Sequence, residues 1–111
     1  MLDIQAAIFD MDGTLVDSLM LWDVLAEAYE KAYPDKIGTV ISEEDNRLMR
    51  VLPLPESMAM LHEHYGLGES AQELLKLTQA VFLDFYSNRV ELKEGVREFL
   101  DALRSRGVKM C

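Results

Sequence analysis

Ile8-Phe9-Asp10-Met11-Asp12-Gly13-Thr14-Leu15-Val16-Asp17-Ser18 is the stretch on which the reading of this chain turns. The apolar run Ile4 to Phe9 (IQAAIF) leads into it and has the length and character of a short strand buried on both faces. That run stops at two carboxylates separated by one residue and followed by a glycine. In extended backbone, residues two apart project to the same side, so Asp10 and Asp12 can address one bound group. Gly13 has no Cβ and lets the chain turn tightly. The N–H groups of such a turn, at Met11, Asp12 and Gly13, can point at an anion. Asp-Gly alone is only a turn signal; a buried strand before it and a helix after it make it a candidate site.

Beyond the turn the pattern becomes helical. Asp17 and Ser18 are both good N-cap residues, and Leu21, Trp22, Leu25, Ala28, Tyr29 and Ala32 recur at helical spacing until Pro34. Ser42 and Asp45 have capping-box spacing at the start of a second helix. A third helix runs from Pro55 to Tyr65 with Gly66 as its C-cap. The longest spans Ser70 to Asn88, with Leu74, Leu77, Val81 and Phe85 aligned and Leu75, Phe82 and Tyr86 beside them. After Asn88, Val96, Phe99, Leu100 and Leu103 form a last amphipathic stripe, closed by Gly107, and Val108 to Cys111 opens a second strand.

Strand, helical excursion, helix, strand is an α/β order, because two parallel strands need a helical crossover. The expected architecture is a Rossmann-like core formed by residues 1–17 and 90–111, interrupted by an all-helical insertion over 18–89. Ligands of such sheets bind at the carboxyl ends of the strands. There Asp10 and Asp12 fall, and an insertion leaving from that edge would hang over them as a lid.

Composition narrows the class. Half of the 111 residues are hydrophobic and 28% are charged, as in ordinary folded chains. A net charge of −9 argues against a nucleic-acid partner, which is bound through clustered Lys and Arg. No run approaches the roughly 20 apolar residues of a membrane span, so no membrane partner is expected. The single cysteine, Cys111, allows no disulfide within the chain. Met1 to Gln5 lacks the basic-then-apolar pattern of a signal peptide. Together these imply a cytoplasmic setting.

A carboxylate attacking a phosphate meets a repulsion of roughly 4 kcal/mol per charge pair at about 4 Å and an effective dielectric of about 20. Asp10 can act as a nucleophile toward phosphorus only if a cation offsets that repulsion. Mg²⁺ suits the task, because it takes one or two carboxylates together with a phosphate oxygen. Asp12 would then protonate the leaving alkoxide and later deprotonate the attacking water.

IFDMDGTLVDS, from Ile8 to Ser18, resembles the first signature of the haloacid dehalogenase superfamily in its phosphatase-type DxDGT form. Leu92 to Gly107 resembles the segment that leads into that family's second strand, although Lys93-Glu94-Gly95 stands where Pro-Gly is usual before the glycine. The helical insertion resembles the cap of the phosphoglycolate phosphatase and β-phosphoglucomutase branch. The resemblance implies that Asp10 is the nucleophile and a Mg²⁺ ligand. It also implies that Asp12 is the general acid/base, with its backbone carbonyl on the metal. The family's dehalogenases lack the second aspartate and its transport ATPases carry threonine there, so Asp12 favours phosphate-ester chemistry. The implied function is a Mg²⁺-dependent phosphatase of a small phosphorylated metabolite, working through an aspartyl-phosphate. Two alternatives stand beside it: a β-phosphoglucomutase-like phosphotransferase and a non-catalytic helical interaction module. Mutase-like members carry a histidine where Trp22 stands, which lowers the first of these.

The family's catalysis also uses a later Ser or Thr, a Lys and one or two acidic residues, none of which follows within 111 residues. The expectation is therefore a truncated chain, inactive by itself, whose short second strand leaves an apolar edge open to self-association or domain swapping. In the helical insertion, Trp22, Arg47 and Arg50 are the candidates for substrate contact. For each, the competing reading is ordinary packing or a solvated helix face. His62 and His64 lie two apart on a helix, do not face each other, and read as solvated rather than metal-binding.

Overall fold

The structure is a computed structural model that describes residues 3–111; Met1 and Leu2, and the expectations placed on them, lie outside the described residues. In chain order the elements are β1 (Ala6–Ala7), β2 (Val16–Asp17), α1 (Leu21–Ala32), α2 (Glu43–Met49), α3 (Leu54–Tyr65), α4 (Ala71–Asp84), β3 (Glu91–Leu92), α5 (Val96–Ser105) and β4 (Lys109–Met110). A single 3₁₀ turn at Pro34–Lys36 follows α1, and one π turn at Phe85–Arg89 extends α4. This is the mixed α/β class expected from the sequence.

β1 and β4 pair in parallel, Ala6 opposite Lys109 and Ala7 opposite Met110. The ladder reaches past those pairs. Lys109 N–H donates to the Gln5 carbonyl (3.0 Å), Cys111 N–H to Ala7 (3.1 Å) and Phe9 N–H to Cys111 (2.9 Å). α5 packs on β4, and Phe99 meets Phe9 edge to face at 6.2 Å. Burial on both faces of β1, expected from IQAAIF, is not what is found. Ile8 is 88% exposed and Ile4 54%, because α5 covers one face of the pair and leaves those two side chains open.

No signal in the sequence points to the second pairing. β2 and β3 form an antiparallel ribbon, Val16 opposite Leu92 and Asp17 opposite Glu91, and Lys93 N–H donates to the Leu15 carbonyl at 2.9 Å. It brings together the two chain segments that enter and leave the helical excursion. It also corrects the expected N-cap. The backbone stays extended through Asp17 to make this pairing, so neither Asp17 nor Ser18 caps α1, which starts after Met20 with no side-chain cap.

Elsewhere the local signals act as read. Ser42 accepts from Asp45 N–H at 3.1 Å, and Ser70 accepts from Glu73 N–H at 3.1 Å. Gly66, with φ of +66°, ends α3 in the left-handed conformation that glycine reaches without steric cost. The core sits in this helical unit, where Met58, Leu61, Leu67 and Leu74 cluster with Tyr29 and Tyr33 against them. The whole molecule measures 57 × 25 × 22 Å with a radius of gyration of 18.3 Å. A single compact domain of this length would have about 13 Å, so the helical unit and the β1–α5–β4 unit stand end to end. Among the described residues, no helix is long and apolar enough to cross a membrane.

Asp45 ties α2 to α3. Its buried carboxylate accepts from the Tyr65 hydroxyl (2.5 Å) and from His64 Nδ1 (3.0 Å). These bonds, Tyr65 first, hold the Asp45 carboxyl below its ordinary 3.8. The bond to Asp45 raises the His64 imidazole above its ordinary 6.5. The contribution of Asp45 is present above 3.8 and is lost as pH falls through its lowered folded value. That of His64 is whole below 6.5 and is lost as pH rises through its raised folded value. Thermal melts across pH should therefore show stability falling as pH rises above 6.5, and His64→Ala should flatten that limb. An unchanged alkaline limb in the variant would mean the pair does not contribute.

Candidate active site

The loop after β1 is built by one carbonyl. Met11 C=O accepts N–H bonds from Thr14 (3.2 Å), Leu15 (2.9 Å) and Val16 (3.1 Å), while Gly13 N–H donates to the Val16 carbonyl (3.0 Å). Gly13 has φ of +74°, and a Cβ placed there would meet nothing within 4 Å. Glycine is thus required by the backbone conformation rather than by a close neighbour. The turn carries Asp10 and Asp12 into solvent at the carboxyl end of β1.

A separate hydroxyl orients each carboxylate. Thr14 Oγ1 donates to Asp10 Oδ2 at 3.2 Å, and the Tyr86 hydroxyl donates to Asp12 Oδ1 at 2.5 Å. Gly13 N–H is already engaged. Among the described residues, the amides of Met11 and Asp12 carry no backbone hydrogen bond and remain available to an anion.

Tyr86 was not anticipated as a site residue. In the sequence it reads as the end of an apolar stripe on a long helix. The π turn at Phe85–Arg89 sets it beside the aspartates, and such turns are frequent at functional sites. Its phenol is pushed up to about 12, first by desolvation and then by the hydrogen bond to and charge of Asp12; a bond with the Ser18 hydroxyl acts the other way. Ser18, read as a cap, is instead a buried neighbour of this phenol.

The donor chemistry fits Mg²⁺ in kind, since Asp10 and Asp12 supply hard oxygens. In number they are two: among the described residues, no group of three or more His, Cys, Asp or Glu side chains assembles as a metal cage. His62 and His64 each have an individual partner. His62 Nδ1 bonds with the Leu67 carbonyl (2.9 Å) and His64 with Asp45, so both rings are structural ties rather than merely solvated ones.

The three other candidates divide between two surfaces. Trp22, 56% exposed, walls an apolar cleft with Leu25, Met49 and Phe82. Arg47 on α2 and Arg50 just after it line a different, shallow cleft with Glu43 and Asn46. The two surfaces share no wall.

The sequence profile of the haloacid dehalogenase-like hydrolases matches residues 4–111. The chain belongs to that family. Two curated proteins resemble this haloacid dehalogenase-like chain. One is a phosphorylated carbohydrates phosphatase of Thermotoga maritima, 28% identical over 107 residues, covering 96% of this chain and 48% of the relative. The other is protein CbbY of Rhodobacter capsulatus, 30% identical over 116 residues, covering 99% and 50%. Among solved structures, a Thermotoga maritima protein named as a candidate beta-phosphoglucomutase superposes with a TM-score of 0.62. It is 27% identical, with 96% of this chain and 48% of that one covered. The chain spans about half the length of the curated relatives it matches.

The Tyr86–Asp12 contact can be tested without turnover. Asp12→Asn removes the charge but leaves the desolvation, so the Tyr86 phenol should titrate part of the way back from about 12 toward 10. Tyrosinate absorbance, with Tyr86→Phe subtracted to assign the transition, reads the shift. An unmoved titration would mean that the two side chains do not meet in solution.

Proposed function

We propose that the complete polypeptide is a phosphomonoester hydrolase of a small phosphorylated metabolite. Asp10 is its nucleophile and Asp12 its acid–base group. One observation carries the reading: two carboxylates on the turn after β1, each oriented by its own hydroxyl, beside two free amides. Membership of the hydrolase family and a relative named for phosphorylated carbohydrates support it.

In this mechanism the Met11 and Asp12 amides receive the phosphate, with Gly13 shaping the turn between it and β2. A carboxylate oxygen of Asp10 attacks phosphorus as the ester P–O bond breaks, and Asp12 gives its proton to the departing alkoxide. Water then attacks the phosphorus of the aspartyl-phosphate, Asp12 takes the water's proton, and inorganic phosphate leaves with Asp10 restored. Asp10 and Asp12 would hold Mg²⁺, whose charge offsets the repulsion between carboxylate and phosphate. Tyr86 and Thr14 keep the two carboxylates from adopting other rotamers.

Residues 18–89 act as the cap and residues 1–17 and 90–111 as part of the core. Trp22, Arg47 and Arg50 are the cap side chains open to substrate. The ordinary composition and single cysteine support a cytoplasmic setting. Trp22, where mutase-like relatives are expected to carry histidine, favours hydrolysis over return of the phosphoryl group to a sugar.

The complete polypeptide should release phosphate from small phosphomonoesters in a Mg²⁺-dependent manner. Asp10→Asn should abolish release with an unchanged circular dichroism spectrum, and Asp12→Asn should slow it by about 10²- to 10⁴-fold. Turnover retained in Asp10→Asn would refute the assignment.

A further inference from the structure

Among the described residues, each carboxylate of the pair has one oxygen held by a hydroxyl and one without a hydrogen bond. Thr14 holds Oδ2 of Asp10, and Tyr86 holds Oδ1 of Asp12. The two holders differ in origin. Thr14 stands four residues from Asp10 on the same turn, whereas Tyr86 lies 74 residues from Asp12, on the π turn that ends α4.

That π turn is itself well fixed. Phe85, 0% exposed, anchors it in the interior and meets the Tyr86 ring edge to face at 5.4 Å. Val90 N–H donates to the Phe85 carbonyl at 2.9 Å. The Asp84 carboxylate accepts from Asn88 Nδ2 at 2.9 Å and from Arg89 Nε at 3.0 Å, which clasps the turn on its exposed side. The phenol reaches Asp12 from a held position, not from a free side chain.

A protonated carboxyl group keeps one oxygen as an acceptor and carries its proton on the other. With the Tyr86 hydroxyl donating to Oδ1, the proton of Asp12 rides on Oδ2. We propose that Tyr86 is the positioning residue of the protonation step: by holding Oδ1 of Asp12 it turns the proton-bearing Oδ2 toward the leaving oxygen of the ester. This deepens the phosphatase reading above and rests on it. The step balances without a proton from the phenol. Asp10 forms its bond to phosphorus, the ester P–O bond breaks, the leaving oxygen takes the proton from Oδ2, and Tyr86 keeps its own. A well-placed acid matters most where the leaving group most needs the proton. An alkoxide needs it, whereas a nitrophenolate departs as a stable anion. Tyr86 thus suits the site to alkyl phosphomonoesters.

The test compares the complete polypeptide with its Tyr86→Phe variant, which keeps the ring against Phe85 and loses only the hydroxyl. The readout is kcat/KM, which measures transition-state stabilisation from free enzyme and substrate. It should fall about ten- to a hundredfold for glycerol 3-phosphate, the range of one hydrogen bond to a charged group, and hold for p-nitrophenyl phosphate. In an Asp12→Asn background, Tyr86→Phe should change neither value, because the proton it positions is gone. An equal fall for both substrates, or a fall that persists beside Asp12→Asn, would assign Tyr86 to packing and overturn the proposal. An unchanged or faster alkyl reaction in Tyr86→Phe would overturn it too. Each of these results, found with turnover that is lost in Asp10→Asn, leaves the phosphatase reading standing. No turnover by the unmodified polypeptide, or turnover that survives Asp10→Asn, would bring down that reading and this proposal with it.

Discussion

Three N–H groups, from Thr14, Leu15 and Val16, converge on the Met11 carbonyl, and that convergence reverses the chain between β1 and β2. Most of what the site can do follows from it. The reversal fixes Gly13 at positive φ, keeps Asp10 and Asp12 at the carboxyl end of β1 and, among the described residues, leaves the Met11 and Asp12 amides without a backbone hydrogen bond beside them. A looser loop would carry the same carboxylates but would not hold them in register. Orientation matters here because the attacking and proton-transferring groups must be placed before reaction for proximity to lower the barrier.

The same turn delivers Val16 and Asp17 to Glu91 and Leu92, so the ribbon that gathers the ends of the helical excursion is continuous with the loop that carries Asp10 and Asp12. Tyr86 adds a second tie from the helical side, reaching Asp12 from the π turn that ends α4. The two-pair ribbon and the Tyr86–Asp12 contact both link the helical unit to the segment after β1. The position of the excursion and the orientation of Asp12 are physically coupled through these few atoms.

Much of this was legible in the sequence wherever one residue type answers one local need. Ser42 and Asp45 announced the cap of α2, Gly66 the end of α3, and the Val96–Leu103 stripe the face of α5. Asp10, Asp12 and Gly13 announced the loop, because few other requirements put two acids and a glycine after an apolar run. What was not legible depends on distant partners. Two-residue strands such as Val16–Asp17 and Glu91–Leu92 carry no periodicity to detect, and their pairing overrode the capping preference of Asp17 and Ser18. A phenol ending an apolar stripe looks the same whether it packs or meets a carboxylate, so Tyr86 passed as core. Ile8 looked buried because burial was inferred from its own character, whereas it depends on what lies across from it.

The most direct test of the central claim is to stop the complete polypeptide in acid during turnover and map any covalently bound phosphoryl group by mass spectrometry of its peptides. The account expects the added mass on the peptide containing Asp10, carried by that aspartate. Steady turnover with no phosphoryl group on Asp10, or with one on a different residue, would contradict it.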